Sequence, residues 1–396
     1  MISRGVSSRR RITTAPRHGR AALWNSGAFL TLVRRQVKGR DAMKIRKVAI
    51  GCAVGVLALL ALEGALRLFR PQIFPHHVRG LYAPHPELGH VLAPNRETMI
   101  TQPEYRVTAR TNSNGFRGAE LPSKSPGTIR IVCFGDWMTF GEGVEDDGTY
   151  PVLLETDLRR RYPDRDIQVI NAGIAQYGTV DELAYFKSIA TELAPDFVIL
   201  EFYAGDDFEQ NRVPSRERHK FHDGALEERR SFNKTTGPWW LTSIYWLKHR
   251  SHLVHWVSER AGQAALQANL IGDLENASSN HFSDEQAQRA HELLIEFSNV
   301  AQGVGAPTLF VFVPERMQVL ARPTEELRAA RVVASAADQA SSSFLDLTPT
   351  LVKQEDLKSL YLHWIGTWTP GTYQLAADAV TQKIVELRWL DGAGNP

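Results

Sequence analysis

Short, uninterrupted apolar runs alternate along this chain with longer segments of helical character, and that order limits the fold more than any other feature. Ile129–Phe134, Ile167–Asn171, Phe197–Phe202, Thr308–Phe312 and Phe344–Leu347 have the length and β-rich composition of buried strands. Between them Tyr150–Arg161, Val180–Thr191, Ser283–Gln302, Glu325–Gln339 and Thr372–Trp389 read as helices. Ser283-Asp284-Glu285-Gln286 has the pattern of a capping box, which fixes one helix start. Repeated strand-then-helix order predicts a mostly parallel sheet with helices on both faces, a three-layer α/β/α sandwich. Ligands of such sheets sit beyond the carboxyl ends of the strands.

One stretch breaks the alternation. Residues 208–280 form a helical insertion whose centre crowds Trp239, Trp240, Tyr245 and Trp246 together. Such aromatics at helical spacing ordinarily form core, here a cover for a sheet edge or the cleft. The sharper alternative is contact with lipid or a sugar chain.

The amino terminus is of a different kind. Residues 1–47 carry thirteen Lys/Arg and a single acid, Asp41, while residues 68–396 hold 32 basic and 42 acidic residues. An acidic body repels phosphates, so nucleic acid is not an expected partner. Val48–Leu62 is an uncharged apolar run directly behind Lys44, Arg46 and Lys47, and continuing it to Arg67 reaches the ~20 residues that span a bilayer. Residues 48–67 are therefore read as a transmembrane signal anchor, against the alternative of a cleaved signal. Basic residues before it place the body outside the cytoplasm, as a single-pass protein of the inner (cytoplasmic) membrane with a periplasmic domain. Residues 68–127 read as a lead-in packing on a domain that occupies 128–396. Residues 1–42 read as a disordered cytoplasmic tail, as an amphipathic targeting segment, or as sequence ahead of the true start; the last is favoured, because Met43 opens a complete signal-type pattern, Met-Lys-Ile-Arg-Lys followed by apolar residues. Two cysteines, Cys52 and Cys133, exclude a disulfide scaffold and a cysteine-built metal site.

Four loops beyond strands carry the recognisable motifs. Gly135-Asp136-Trp137-Met138-Thr139 follows the first strand, Asn171-Ala172-Gly173 ends the second, and Ala204-Gly205-Asp206-Asp207 follows the third. His363-Trp364-Ile365-Gly366-Thr367-Trp368-Thr369-Pro370 precedes the last helix. Together with His85-Pro86-Glu87-Leu88-Gly89 and Asn112-Ser113-Asn114-Gly115-Phe116-Arg117-Gly118, these blocks resemble the membrane-anchored bacterial branch of the SGNH/GDSL hydrolase superfamily, from about Leu81 to Leu390. The resemblance implies a flavodoxin-like sandwich and serine-based ester hydrolysis, or O-acetyl transfer or removal on polysaccharides.

That chemistry needs a nucleophilic hydroxyl, a histidine base, an acid that orients it, and donors facing an oxyanion. The family's serine falls on Trp137, whose indole holds no nucleophilic atom and whose bulk is expected to fill the pocket. Its oxyanion glycine matches Gly173, but the oxyanion asparagine falls on Asp206, and the acid and base fall on Ile365 and Thr367. Thr139 and His363 are the weak substitutes for hydroxyl and base. Asp136, Asp206 and Asp207 form a candidate ligand site for a cation or sugar hydroxyls, with Glu142 close in sequence; the competing reading gives Asp136 and Asp207 loop-holding backbone hydrogen bonds. If Asp206 is buried among acids, its pKa rises and it donates as a neutral acid. No phosphate-binding glycine loop follows any strand, and no cofactor or metal is expected.

These features predict a membrane-anchored SGNH-like protein without serine-hydrolase activity, binding or scaffolding in envelope or exopolysaccharide processing. The alternative is an active esterase, or a polysaccharide O-acetyl esterase or acetyltransferase, working through non-standard residues. On the start site the expectation is concrete: N-terminal peptide analysis of native protein should find nothing before Met43, and a peptide from residues 1–42 would overturn it.

Overall fold

The computed structural model describes residues 26–69, 78–102, 104–222, 225–228, 247, 250–267, 282–362 and 366–391. His363, Ile365, Trp239, Trp240, Tyr245 and Trp246 lie outside the described residues. The chain divides into two units, Met1–Ala65 and Leu66–Pro396. The first is represented by a helix, α1, which spans Ser26–Phe69 across the boundary. Its Met43–Phe69 portion, 27 residues, is long and apolar enough to cross a membrane; at ~1.5 Å per residue it exceeds the ~30 Å of a hydrocarbon core.

The second unit opens with two antiparallel hairpins. Tyr82–His85 (β1) pairs with Gly89–Leu92 (β2), and Arg96–Thr101 (β3) pairs with Arg106–Thr111 (β4). Asn112 then turns the chain: its side-chain oxygen accepts from the N–H groups of Asn114 and Phe116 at 3.0 and 2.9 Å, with Gly115 at a positive φ of 81°. That turn delivers Arg117 to the edge of the main sheet, where its backbone bridges Asn171.

Ile129–Phe134 (β5), Ile167–Asn171 (β6), Phe197–Tyr203 (β7), Thr308–Val313 (β10) and Ser343–Asp346 (β11) form one parallel sheet in the order β11-β10-β7-β5-β6. All five expected strands are present, with ends shifted by at most one residue. Strand side chains alternate between two apolar layers, because successive residues of a strand point to opposite faces. Val132, Phe134, Leu200 and Phe310 join one layer, closed by Phe186 of α4 (Thr179–Leu193) and Phe297 of a later helix, Asp284–Gly303. Ile131, Cys133, Ile199 and Leu309 join the other, closed by Leu154 and Leu158 of α3 (Tyr150–Arg161) and Tyr373 and Ile384 of the last helix, Pro370–Glu386. The expected α/β/α sandwich is thus present.

The capping box forms as expected, with Ser283 and Gln286 each bonding the other's backbone N–H. One helix begins three residues later than its pattern suggested, at Arg328, because Leu327 is extended and buried while Arg328 reaches back to Asp284 and the Phe282 carbonyl. The insertion contributes a hairpin, His219–His222 (β8) with Ala225–Glu228 (β9), and a helix, His252–Gln267.

The sheet order reverses between β5 and β7, and a crevice forms at such a switch point. Arg117 holds the loop that borders it. Its guanidinium is buried, donates to the carbonyls of Phe140, Gly141 and Val144 at 2.8, 2.6 and 2.6 Å, and pairs with Asp146 at 3.1 Å. Truncating it leaves three carbonyls without their donor and leaves Asp146 with only the exposed Arg110 as a cation. Arg117→Ala is expected to cost about 3–5 kcal/mol in urea unfolding; a loss below ~1 kcal/mol would mean that water replaces the guanidinium.

Candidate functional site

The first loop leaves β5 through Gly135, whose φ of +154° favours glycine. A Cβ there would lie 2.1 Å from Thr139 Oγ1 and 2.5 Å from Glu201 Oε2, so the missing side chain is what lets Glu201 approach. Asp136 caps the short helix α2, Trp137–Phe140, accepting from the Met138 N–H at 3.3 Å. Trp137 is the first residue of that helix and half-buried. Thr139 is fully buried; its hydroxyl lies 3.1 Å from Glu201 Oε2 and 3.3 Å from both the Phe134 carbonyl and the Tyr150 hydroxyl. It is an interior strut, closed to a substrate.

Gly173 packs against the same turn, where a Cβ would stand 2.4 Å from the Phe140 nitrogen. Its N–H is already donated to Asn171 Oδ1 at 3.1 Å. The third loop follows β7. Asp207 accepts from the Tyr203 N–H at 2.7 Å, and Asp206 accepts from the Gln210 side-chain amide. Asp136 and Asp207 therefore do make loop-holding backbone bonds. On the fourth loop Thr367 is buried and turns its hydroxyl toward Met138 Sδ, 3.5 Å away.

Asp136, Asp206 and Asp207 are brought together, and the structure adds two acids that the motifs do not mark, Glu182 on α4 and Glu201 on β7. Carboxyl–carboxyl contacts join Asp136 to Glu201 and to Asp206. One oxygen each of Asp136, Glu201, Asp206 and Asp207, and both of Glu182, have no N–H or hydroxyl donor. Burial is the main cause that pushes every one of the five upward, reinforced by their mutual repulsion; Glu201 reaches about 7. Carboxyls without donors can share the space only if some keep their protons. The loops at the switch point accordingly cover a buried set of acids whose pKa values all lie above the ordinary carboxyl range. Glu142 is not among them: it bonds the Tyr105 hydroxyl at 2.7 Å, and burial pushes it up to about 7. A group of His, Cys, Asp or Glu able to hold a metal is absent among the described residues.

Glu201 had a sequence signal, a lone acid inside an otherwise apolar strand, Phe197-Val198-Ile199-Leu200-Glu201-Phe202-Tyr203. Glu182 had none, because an acid in the first turn of a helix is ordinary.

A hydroxyl, imidazoles and a carboxylate do meet elsewhere. Ser215 Oγ lies 3.1 Å from His90 Nδ1 and 2.9 Å from His219 Nδ1, and the Ser215 N–H bonds Asp181. Ser215 and His90 are 0% exposed, and Asp181 pairs with Arg218 at 2.7 Å rather than with an imidazole. With the Ser215 hydroxyl and His90 buried and Asp181 held by Arg218, this trio lacks the arrangement of a hydrolase triad.

Solved structures similar to this chain include several esterases, at low identity. The chain is similar to a putative lipolytic protein of the G-D-S-L family from Desulfitobacterium hafniense, at 12% identity and a TM-score of 0.37 over 64% of this chain and 98% of that one. It is similar to a variant of Axe2, an acetyl xylan esterase from Geobacillus stearothermophilus, at 15% identity and a TM-score of 0.39 over 65% and 96%. A two-domain esterase active on acetylated mannans matches at 12% identity and a TM-score of 0.41, over 68% of this chain and 51% of that one. No protein-family model and no curated protein matches the chain.

The acids give the crevice a sign that can be measured. Glu201 has a folded pKa of about 7 against 4.5 in an unfolded chain, so its share of stability is full below pH 4.5 and is lost as pH rises through 7. In Glu201→Gln the amide oxygen still accepts from Asp136 N–H and Thr139. The variant should be more stable than the parent at pH 8, by on the order of 2–3 kcal/mol, with no gain at pH 4.5. Equal stability of the two at pH 8 in urea titrations would show that Glu201 is solvated.

Proposed function

We propose that this chain is a membrane-anchored SGNH-like protein without serine-hydrolase chemistry, its body on the extracytoplasmic side of the inner membrane, where the crevice binds a glycan in envelope or exopolysaccharide processing. One observation carries the reading: the position of the attacking oxygen holds Trp137, and the sole hydroxyl in the same turn, Thr139, is sealed against Glu201. The remaining parts of the machinery fail separately. The Gly173 N–H is occupied, and Thr367 cannot serve as a base.

Support for a sugar comes from the chemistry that remains. A half-buried indole offers an apolar face suited to the C–H face of a pyranose, and a protonated carboxyl such as Asp206 donates to a hydroxyl. The apolar Met43–Phe69 helix supports the anchor, and the basic residues before it support the orientation.

The test uses the full chain in detergent. Short acyl esters should not turn over, a fluorophosphonate probe should not label, and binding to one of a panel of bacterial polysaccharides should weaken at least tenfold in Asp206→Ala. Turnover or labelling that disappears in Thr139→Ala or His363→Ala would establish the enzyme instead. Combining Trp137→Ser, Asp206→Asn, Ile365→Asp and Thr367→His should restore feeble ester hydrolysis at most, because the surrounding shell is built for acids rather than an oxyanion.

A further inference from the structure

Among the described residues, large apolar side chains that stand exposed outside the long helix α1 are few. They are Met99, Leu247 and Val257, at 53%, 39% and 50% exposure. Leu247 and Val257 lie in one short stretch of the insertion, just before and on the helix His252–Gln267. Single exposed apolar residues are ordinary; what makes this pair informative is where the chain holds it.

The last turn of α1 carries Arg67, which donates to the Arg250 carbonyl at 3.3 Å. Arg67 closes the ~20 residues that suffice to span a bilayer, so the backbone it touches stands at the outer interface. Arg250 belongs to a turn in which the Leu247 carbonyl accepts from the N–H groups of Arg250 and Ser251, at 3.0 and 2.8 Å. The Ser251 hydroxyl then accepts from the Val254 N–H at 3.2 Å and starts the helix. Val257 and Arg260 follow within about three helical turns of ~5.4 Å each. On that helix His255 is buried, whereas Val257, Arg260 and Ala261 are exposed and share one side. The Arg260 guanidinium carbon lies 5.9 Å from the centre of the half-buried Trp256 ring.

We propose that Leu247, Arg250 and the first turns of the helix His252–Gln267 lie on the outer surface of the bilayer that α1 crosses, Leu247 and Val257 set among the headgroups and Arg250 and Arg260 on lipid phosphates.

The inference rests on the reading of Met43–Phe69 as a membrane anchor. The chemistry of the face fits a headgroup layer: aliphatic side chains meet acyl carbons, the indole sits between apolar and wet, and the guanidinium reaches phosphate along its own stem. Arg250 and Arg260 are both exposed, and cations at a membrane surface are drawn to anionic lipid. A protein partner would need ~800 Å² of this surface, of which two side chains supply little. A bilayer needs no such area, because the anchor already holds it against the chain and raises its effective concentration.

Site-directed spin labelling of the full chain in nanodiscs of mixed phosphatidylcholine and phosphatidylglycerol tests this. Cys133 is buried, so with Cys52→Ala a nitroxide on one introduced cysteine reports one place. At Val257→Cys, collision with dissolved oxygen should exceed collision with nickel–EDDA by about twofold or more, the reverse of the order for a residue exposed to water. Val54→Cys, on the exposed side of the apolar helix, reports on the anchor and should lie deep in lipid. An aqueous order at 257 with Val54 deep overturns this inference and leaves the anchor standing; an aqueous order at both overturns the two together. A label at 257 shielded from both reagents would lie against protein and overturns it as well. Should the Val257 variant not fold, Leu247→Cys carries the same test.

Discussion

Taking a carboxyl group out of water costs several kcal/mol unless it finds a cation, a set of donors or a proton. The switch point of this sheet holds five carboxyls under that constraint. Two of them, Asp136 and Asp207, obtain backbone N–H donors by shaping the loops that follow β5 and β7. Glu201 obtains the Asp136 N–H and the Thr139 hydroxyl, and reaches both because Gly135 has no side chain. The local architecture of the crevice follows from satisfying these acids. A glycine with a side chain, a threonine turned outward or a relaxed turn at Asp136 would each strand an oxygen.

The loops beyond the strands are held in the same way, by contacts within the protein. Serine hydrolysis needs groups that face a substrate, and Thr139, Gly173 and Thr367 make their contacts within the protein instead. Thr139 serves Glu201, Gly173 serves Asn171, and Thr367 serves Met138. Apolar packing on both sides of the sheet is independent of any of them.

The layer order was legible in the residues because β-rich runs of five or six and amphipathic segments of twelve or more obey different periods. Ser283 through Gln286 marked one helix start to the residue, whereas Glu325 marked another too early, since helix propensity is local and the burial of Leu327 is not. At the site, the motif blocks located Asp136, Trp137, Gly173, Asp206 and Thr367 on the loops beyond the strands. What the blocks could not convey was direction. Whether a threonine hydroxyl opens to the crevice or the interior depends on the residue across from it, and Glu201 lies sixty-two positions away. The His90–Ser215–His219 group was equally hidden, because its members come from two hairpins and the short helix between strand systems.

The bridge between Arg117 and Asn171 has a further effect on how this protein behaves among its neighbours. Strand β6 is the outermost of its sheet on that side, and an outer strand ordinarily displays a ladder of open N–H and C=O groups on which a foreign strand can grow. With a residue of the same chain laid across its carboxyl end, and the guanidinium of that residue locked into the adjoining turn, the ladder is interrupted where a newcomer would need continuity. The margin is thereby blunted against edge-to-edge polymerisation by the segment that introduces the domain.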